Sequence, residues 1–450
     1  MKKRIITLTS SVLIILVGLF IYRSTLSSDL NKFQLDNYFT TLADANKFMG
    51  SIAILKKGEL IYSRTIGFAD YENNIAANEN TKYRIGSTTK TFTAVLTLMA
   101  IEEGKLSLDD KLDQFFPNIK NSKTIKIEYL LNHRSGIYSV TSDPDFLDWR
   151  TKPKTREEIL SIIQSGASQF KPNSKAYYSN SNYILLTYIL EDIYAKEYNS
   201  ILKEKITIPL KLTNTYLDDA INTADKECKS YRFVSNWEVQ PETNISIPQG
   251  AGGMVSNPID LVSFIKALFK GELLKSETLD KMKTIQETAG LGLFETDVNG
   301  KQAFEHPGTI DGFKANYVYI PEDDIIYAFT TNGLNYKNKD IQKAVLNAVY
   351  NKPIEIPEFG PTYTLSSEDL DQYLGIYSSP DLFDGLMKIT IDKKDNILTA
   401  QGTMQELFSA RATAKHKFKI GAIGAKFEFK PDENIVVWVQ NGKTHILKRE

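Results

Sequence analysis

The stretch YRIGSTTKTFTAVLTLMAIEEGKLSLDDKL (residues 83–112) combines a helix pattern with a candidate site at its start. Its apolar residues recur at helical spacing, and Gly104 suits a helix end, so the stretch predicts a helix from Ser87 to Gly104. Ser87 and Lys90 are three residues apart, which places both side chains on one face of the helix. The pair is either an ordinary N-cap or an amine placed to act on a hydroxyl.

Length and composition limit the classes of protein to consider. A chain of 450 residues predicts two or three domains, and 42% hydrophobic with 24% charged residues is ordinary for a globular protein. The net charge of −1 gives no electrostatic footprint for nucleic acid, so no nucleic-acid partner is predicted. One cysteine excludes an intramolecular disulfide. Four scattered histidines offer no metal-ligand spacing, so neither a metal nor another cofactor is predicted.

The N-terminus has the form of a targeting segment. Three basic residues at positions 2–4 precede an apolar run over residues 5–22. This pattern is typical of a secretory signal, and a run of this length can also just span a bilayer. We therefore predict that residues 1–25 are a signal peptide or a membrane anchor, and that the rest of the chain is exported to a periplasmic or extracellular location.

Strand patterns lie at both ends of the main domain, which we place at residues 35–350. SIAILKKGELIYSRTIG (residues 51–67) predicts a β-hairpin that turns at Lys57-Gly58, and residues 313–333 predict two more strands. Between them, segments such as REEILSIIQSG and NYILLTYILEDIYAKEYNSILKEKI show helical periodicity. The predicted class is therefore α+β, with an antiparallel sheet flanked by helices.

The C-terminal part has a different character. KPIEIPEFGPTYTL, which begins at residue 352, holds three prolines and predicts a linker over residues 351–365. Short alternating segments with hairpin turns follow, so residues 366–450 are predicted to form a small all-β domain, a barrel or a curled sheet.

Two common motifs are excluded for GSTTKT, residues 86–91. A phosphate-binding P-loop needs a glycine directly before its lysine, but Thr89 precedes Lys90. The nucleophile elbow needs a glycine two residues after its serine, and Thr89 occupies that position too. Ser-x-x-Lys remains, and two further motifs accompany it: Tyr178-x-Asn180 just before a predicted helix, and His306-Pro307-Gly308 just before a predicted strand.

These three motifs, in this order, resemble the serine β-lactamase and penicillin-binding-protein superfamily. The resemblance is closest to class C β-lactamases, D,D-carboxypeptidases, D-aminopeptidases and related esterases. GKLSLDDKLDQFFP, LLNHRSGI and QGAGGMVSNPIDLVSF support it, and it covers roughly residues 40–350. It implies the antiparallel-sheet fold of that group and hydrolysis through an acyl-enzyme.

The resemblance implies three catalytic residues: Ser87 as nucleophile, with Lys90 and Tyr178. Either Tyr178 is a phenolate base held by nearby cations, or neutral Lys90 is the base and Tyr178 shuttles the proton. One ammonium at ~4 Å supplies the roughly 4 kcal/mol needed to lower a tyrosine pKa from about 10 to about 7. Both alternatives therefore stay open at this point.

Other residues are implied to bind the substrate. The backbone N–H groups of Ser87 and Thr309 would form an oxyanion hole, and the helix N-terminus behind Ser87 favours developing negative charge. Asn180, His306 and Gly308 would contact the substrate. His306 replaces the lysine of most β-lactamases and attracts a substrate carboxylate less. The glutamate setting of class A enzymes is not found, which disfavours that class.

The predicted function is a serine hydrolase for small amides or esters, including D-amino-acid peptides, with β-lactams as minor substrates. The alternatives are a sensor that is acylated by a β-lactam without turnover, and an inactive scaffold. His133 is expected to be a structural residue. The acidic stretch at residues 142–149 is expected to be a solvated loop near the cleft. The C-terminal part resembles lipocalin-like modules of some relatives, which leaves three roles for it: covering the site, binding a partner or stabilising the chain.

Overall fold

The computed structural model describes residues 30–217, 219–359, 363–381, 387–403 and 405–450. The predicted signal or anchor at residues 1–25 lies outside the described residues. Of the helices in the described part, none is long and apolar enough to cross a bilayer. The chain divides into two compact units: the chain up to Ala45 together with Asn338–Phe359, and Asn46–Lys337 together with Gly360–Glu450. The finer boundaries at residues 350 and 365 stay predictions.

Helices and strands alternate irregularly along the chain. The described helices are α1 Lys32–Asp44, α2 Thr89–Glu102, α3 Ile127–Leu131, α4 Phe146–Trp149, α5 Arg156–Ser165, α6 Asn180–Tyr194, α7 Tyr198–Leu202, α8 Gln249–Gly252, α9 Pro258–Phe269, α10 Ser276–Lys283, α11 Asn338–Val349 and α12 Ser367–Leu370. The described strands of the main sheet and its small neighbours are β1 Phe48–Lys56, β2 Glu59–Ile66, β3 Phe68–Asp70, β4 Ile75–Ala76, β5 Tyr83–Arg84, β6 Tyr216–Leu217, β7 Tyr231–Phe233, β8 Trp237–Val239, β9 Met254–Ser256, β10 Phe294–Val298, β11 Lys301–Glu305, β12 Gly308–Ile310, β13 Phe313–Ile320 and β14 Ile325–Leu334. The remaining strands are β15 Gly375–Ser378, β16 Lys388–Lys394, β17 Ile397–Gly402, β18 Leu407–Ala414, β19 Lys417–Ile420, β20 Ala425–Lys430, β21 Ile435–Gln440 and β22 Lys443–Arg449.

The main sheet of the larger unit joins strands from distant parts of the sequence. Its order is β10-β11-β13-β14-β1-β2, with β12 beside β13 and the β7–β8 hairpin beside β14. Strand β1 runs antiparallel to β14, with Phe48 opposite Leu334 and Lys56 opposite Ile325. The sheet is therefore built from an early and a late segment, as predicted, and the α+β class is confirmed.

The hairpin between β1 and β2 turns where the sequence predicts. Lys57 has φ +52° and Gly58 has φ +77°. Two successive left-handed residues are the mark of a tight turn whose twist matches that of the flanking strands. Glycine accepts this conformation without strain, which explains the Lys-Gly pair.

Helix α2 is more enclosed than its sequence suggests. It follows a 3-10 turn at Gly86–Thr88, and Gly104 lies just beyond its end with φ +72°. Its residues are buried nearly all round, so the helix lies inside the core rather than on its edge. Two of its buried threonines donate hydrogen bonds to the backbone of other segments: Thr91 to the Gly292 carbonyl (3.0 Å) and Thr93 to the Gly250 carbonyl in α8 (2.6 Å).

The apolar side of α2 packs against another helix and against the sheet. The Phe92 ring stacks on Phe264 of α9 with 3.7 Å between ring centroids. The Thr91 hydroxyl lies 3.0 Å from the Tyr317 hydroxyl on β13. These contacts hold the N-terminal end of α2, where Ser87 precedes the helix, at a constant distance from the sheet.

The described strands β15 to β22 close into a barrel in which each strand pairs with the next and β22 pairs with β15. Strand β20 shows how it is filled, because its residues are alternately buried and exposed. Its inward-facing Phe427 and Phe429 join Trp438 in the barrel core. The prediction of a small C-terminal all-β barrel is confirmed.

The smaller unit contains α1 and α11. The segment KDIQKAVLNAVYN, residues 339–351, supplies most of α11, and the Asn31 N–H before α1 donates to the Ala348 carbonyl in α11 (3.2 Å). The segment after α11 is fixed to α1 as well, because the Ile354 N–H donates to the Gln34 side chain (3.1 Å).

Candidate active site

Ser87 and Lys90 form a direct contact at the start of α2. Lys90 Nζ lies 3.1 Å from Ser87 Oγ. The neighbouring Thr88 hydroxyl donates to the His306 carbonyl (2.9 Å), so it ties the turn to the sheet side instead of capping the helix. The two possibilities raised by the sequence are thus separated: the Ser87 hydroxyl faces an amine.

Lys90 is buried and bonded to neutral oxygens. Its Nζ lies 2.9 Å from Asn180 Oδ1 and 2.5 Å from the Ala251 carbonyl oxygen. Burial disfavours the charged ammonium and lowers the pKa of Lys90 well below its ordinary value. The neutral fraction of Lys90 therefore rises, and a neutral amine can accept a proton from Ser87.

Tyr178 contacts the same serine from another side. Its hydroxyl hydrogen-bonds to Ser87, while 37% of the residue's surface stays exposed. Burial raises the pKa of Tyr178 above its usual value, and the hydrogen bond to Ser87 opposes this shift only in part. Lys90 Nζ lies 5.0 Å from the ring centroid. Burial therefore works against the phenolate form.

The His133 ring packs against the Tyr178 ring. The two ring centroids are 4.4 Å apart, and His133 Nδ1 accepts from the Ser179 N–H at 3.3 Å and lies 3.2 Å from Asn182 Nδ2. Burial, with Lys90 nearby, lowers the pKa of His133. This residue has φ +58°, and it holds the Tyr178 backbone through its neighbour Ser179. That is the structural role the sequence predicts.

Asn180 is oriented by two hydroxyl residues. Its N–H donates to Ser139 Oγ (3.1 Å) and its Nδ2 donates to Thr141 Oγ1 (2.9 Å). Because Nδ2 is bound in this way, Oδ1 is left to face Lys90. Neither Ser139 nor Thr141 belongs to a recognised motif, so the sequence alone did not identify them.

Strand β12 directs the Thr309 amide away from the sheet. Ile310 and Phe313 pair directly across the turn that joins β12 to β13. A pair next to a two-residue turn exchanges backbone hydrogen bonds, and the next pair does not. Thr309, opposite Lys314, is in that next pair. Its N–H therefore points away from β13.

The turn before α2 lies directly against this amide. Gly86 has φ +50°, and a Cβ on it would lie 2.6 Å from the Thr309 nitrogen. A Cβ on Gly308 would lie 2.0 Å from the Ile85 carbonyl oxygen. Two glycines thus allow β12 and the Ser87 turn to approach each other, which brings the Thr309 N–H close to Ser87.

His306 is buried beside the site. It is only 1% exposed, and its Nδ1 lies 2.9 Å from the Pro307 carbonyl oxygen. Burial, with Lys90 nearby, lowers the pKa of His306 to about 3, so the imidazole is neutral. A cavity lies next to Ser87, and neither His306 nor Gly308 is among the described residues that line it.

A cavity of about 430 Å³ adjoins the serine, and Ser87, Asn180 and Thr309 all line it. Part of its wall is apolar and comes from the stretch predicted to be a solvated loop: residues 146–149 form α4, and Phe146 and Leu147 line the cavity. Most of the stretch is solvent-exposed and lies beside the cavity, as expected, and Leu147 is 58% exposed although it lines the cavity; the short helix α4 was not predicted. The barrel also contributes residues to the wall, and no sequence signal identified them.

Comparison with known proteins agrees with this geometry. The Beta-lactamase family model matches residues 35–351. The chain is 23% identical to Penicillin-binding protein 4* of Bacillus subtilis over 432 residues, which cover 88% of this chain and 93% of that one. It is 30% identical to Teichoic acid D-alanine hydrolase of Staphylococcus aureus over 240 residues, 53% of this chain and 58% of that enzyme.

A solved structure is similar over most of the chain as well. The D-amino acid amidase of Ochrobactrum anthropi SV3 superimposes with a TM-score of 0.64 at 25% identity, covering 72% of this chain and 99% of that one. The family model, these hydrolase relatives and the shared fold lead to one conclusion. The chain belongs to the β-lactamase family and is an enzyme of the serine β-lactamase and penicillin-binding-protein superfamily.

Proposed function

We propose that this enzyme cleaves amides or esters of D-amino acids through an acyl-enzyme on Ser87, with neutral Lys90 as the general base. One observation carries the proposal: the set of oxygens around Lys90 Nζ. A neutral amine has two N–H donors and one lone pair. The carbonyl oxygens of Asn180 and Ala251 take the two N–H groups, which leaves the lone pair for the Ser87 hydroxyl.

The first step forms the acyl-enzyme. Ser87 Oγ attacks the substrate carbonyl carbon while its proton moves to Lys90 Nζ. The carbonyl oxygen becomes an oxyanion between the backbone N–H groups of Ser87 and Thr309, a pair of donors whose loss typically costs about 10²–10³ in rate per donor. The Lys90 ammonium then returns the proton through the Tyr178 hydroxyl to the leaving nitrogen or oxygen as its bond to carbon breaks.

The second step releases the product. A water molecule attacks the ester carbonyl of acylated Ser87, its proton moves along the same groups, and the C–Oγ bond breaks. The raised pKa of Tyr178 suits a relay, because a neutral hydroxyl both donates and accepts. Asn180, whose orientation is set by Ser139 and Thr141, stays next to the acyl group throughout.

The substrate class rests on two independent points. Teichoic acid D-alanine hydrolase and D-amino acid amidase are both named for D-configured amino-acid substrates. In this chain the position that usually holds a cationic lysine carries a buried, neutral His306, so it cannot attract a substrate carboxylate strongly. Uncharged amides and esters therefore fit better than β-lactams, whose carboxylate would find no cation there. A cavity of about 430 Å³ suits a small substrate.

Intact-mass measurement of the protein lacking residues 1–25 tests the proposal. Wild type and Ser87→Ala are incubated with a fluorophosphonate and with a penicillin, and hydrolysis of D- and L-alanine p-nitroanilide is followed in parallel. We expect one fluorophosphonate adduct on wild type, none on the variant, and hydrolysis of the D-isomer that the variant loses. A lasting penicillin adduct without turnover of either anilide would instead support the sensor alternative. No adduct and no hydrolysis would contradict the catalytic proposal.

We also propose that the enzyme acts outside the cytoplasm. The support is the basic start and apolar run of residues 2–22. A C-terminally tagged chain should appear in the envelope or secreted fraction, and a mass shortened at the N-terminus would distinguish a cleaved signal from an anchor. Recovery of the full-length chain in the cytoplasm would contradict the proposal.

A further inference from the structure

The C-terminal barrel reaches into the catalytic cavity. The end of β17, the connection that follows it and the start of β18 contribute Gln401, Gln405, Glu406 and Leu407 to the wall of the cavity that also contains Ser87. The cavity is therefore composite: the nucleophile comes from the main domain and part of the wall comes from the barrel. A wall of this kind can select substrates without taking part in the chemistry.

Specific contacts fix the barrel in this position. The Arg411 guanidinium of β18 lies 5.0 Å from the ring centroid of Phe233, and Lys394 forms a 2.8 Å ion pair with Glu238. Both partners belong to the β7–β8 hairpin. The same hairpin segment places Arg232 in the cavity wall, so one element carries both the barrel contact and a cationic part of the cavity.

Two charges in the cavity wall neutralise each other. Arg150 forms an ion pair with Asp311. The Asp311 side chain is 1% exposed and also accepts from the Thr243 N–H (3.0 Å) and the Thr243 hydroxyl (2.6 Å). Because its acceptor sites are filled, this carboxylate has little capacity to bind a substrate cation, and its arginine has little capacity to bind an anion.

Arg232 and Glu406 form the second charged group of the wall. Arg232 donates to the neutral Gln240 side chain. Burial lowers the pKa of Arg232, and the nearby Glu406 carboxylate opposes that effect. Glu406 also lies 3.9 Å from Lys314, and its side chain is 43% exposed. Glu238 of the β7–β8 hairpin opposes the lowering of the Arg232 pKa as well, but Glu406 is the one of these two carboxylates that lines the cavity together with Arg232.

We propose that Glu406, supplied by the barrel, sets the charge selectivity of the cavity by balancing Arg232 and so disfavours anionic substrates. The inference rests on the proposed hydrolase activity and deepens it. With Glu406 in place, the described residues that line the cavity include no cation without a compensating charge. Around Ser87, His306 is uncharged and Lys90 acts as the base. Substrates that are neutral or carry a free amine are accepted, and those that carry a carboxylate near the scissile bond are rejected.

The experiment compares three D-alanine p-nitroanilides: one with a free amine, one N-acetylated and neutral, and one N-succinylated and anionic. The readout is the kcat/KM ratio of the anionic to the neutral substrate. For Glu406→Gln we expect the ratio to rise about three- to tenfold, the size expected for one charge acting across several ångströms of a partly hydrated cavity. Glu406→Lys should raise it further, and adding salt should shrink the difference.

Two further variants separate charge from structure. Glu428→Gln, an exposed barrel residue paired with Lys417 (3.4 Å), is the matched control and should leave the ratio unchanged. Combining Glu406→Gln with Arg232→Gln should return the ratio towards wild type, because the uncompensated cation is then removed. If the anilides prove too slow, labelling rates of a neutral and an anionic activated ester, followed by intact mass, give the same ratio.

The outcomes distinguish this inference from the function on which it rests. A ratio that does not change in either Glu406 variant, in an enzyme that still turns over the neutral substrate through Ser87, overturns the inference and leaves the proposed function intact. A ratio that rises equally in Glu428→Gln overturns it too, since a general field of the barrel would then be the cause. A wild-type enzyme that reacts with none of the substrates or esters removes the proposed function and the inference together.

Discussion

Replacing each of the two candidate bases in turn tests which of them activates the serine. Lys90→Met removes the amine, and Tyr178→Phe removes the hydroxyl. At pH 7 a lysine with its ordinary pKa of 10.5 is neutral in only about 1 molecule in 3,000, and each unit by which its pKa falls raises that fraction tenfold. A tyrosine with a pKa of 10.0 is ionised in about 1 molecule in 1,000, and here burial reduces this fraction. The two shifts favour Lys90 as the base.

The expected results follow from that difference. Lys90→Met should slow acylation by about 10³-fold or more, within the range usual for a general base, and Tyr178→Phe should slow it less, by about 10²-fold at most. In wild type and in Tyr178→Phe the acylation rate should rise with pH as Lys90 loses its proton and should level off below pH 10.5, since burial lowers the pKa of Lys90. Lys90→Met should lose this limb of the profile.

The assay is the single-turnover release of p-nitrophenol from p-nitrophenyl acetate between pH 5 and 10, with the thermal midpoint of each variant as a check on folding. The reasoning is refuted if Tyr178→Phe loses the pH-dependent limb while Lys90→Met retains it. That result would identify the tyrosine phenolate as the base, despite its burial.

Three further changes test the frame of the site. Gly86→Ala should abolish acylation and lower the thermal midpoint, because the new Cβ would meet the Thr309 backbone; Gly104→Ala, with a similar φ and open space, should cost only about 1–2 kcal/mol and keep activity. Asp311→Asn should destabilise the fold by about 3–5 kcal/mol in urea unfolding, because it removes the charge of the buried carboxylate that pairs with Arg150, and an unchanged midpoint would contradict this. His306 should make the free energy of unfolding depend on pH. Its contribution of about 4–5 kcal/mol is fully present above pH 6.5 and is lost between pH 6.5 and about 3, because the unfolded chain then binds a proton that the folded chain does not bind. His306→Asn should show a smaller loss over the same range.

The motifs were predictable because they are local in sequence. Ser87 and Lys90 lie one helical turn apart, so their contact follows from helix geometry alone, and the Lys57-Gly58 turn follows from backbone preferences. The pairing of β1 with β14 was predictable in outline because both segments carry alternating or apolar strand patterns. The closed barrel could be expected for the same reason.

Other features depend on packing between distant segments. The pKa values of Lys90 and Tyr178 depend on how much water the finished fold excludes, which no motif encodes. Glu406 reaches the cavity because contacts on the β7–β8 hairpin determine where the barrel lies. Exposed charges are common in the barrel sequence, so nothing in its own neighbourhood distinguishes Glu406 from Glu428.

The pairing of β1 with β14 has a consequence for how the chain folds. Phe48 finds its partner only when Leu334 has been synthesised, so the central ladder cannot form while the chain is still short. Closing the loop between Phe48 and Leu334 costs about 5 kcal/mol in chain entropy, which the contacts formed afterwards must offset. Contacts between residues so distant in sequence also slow folding. A nascent chain in which β1 has not yet paired with β14 remains unfolded in this region. An unfolded chain is what export through a membrane before folding requires.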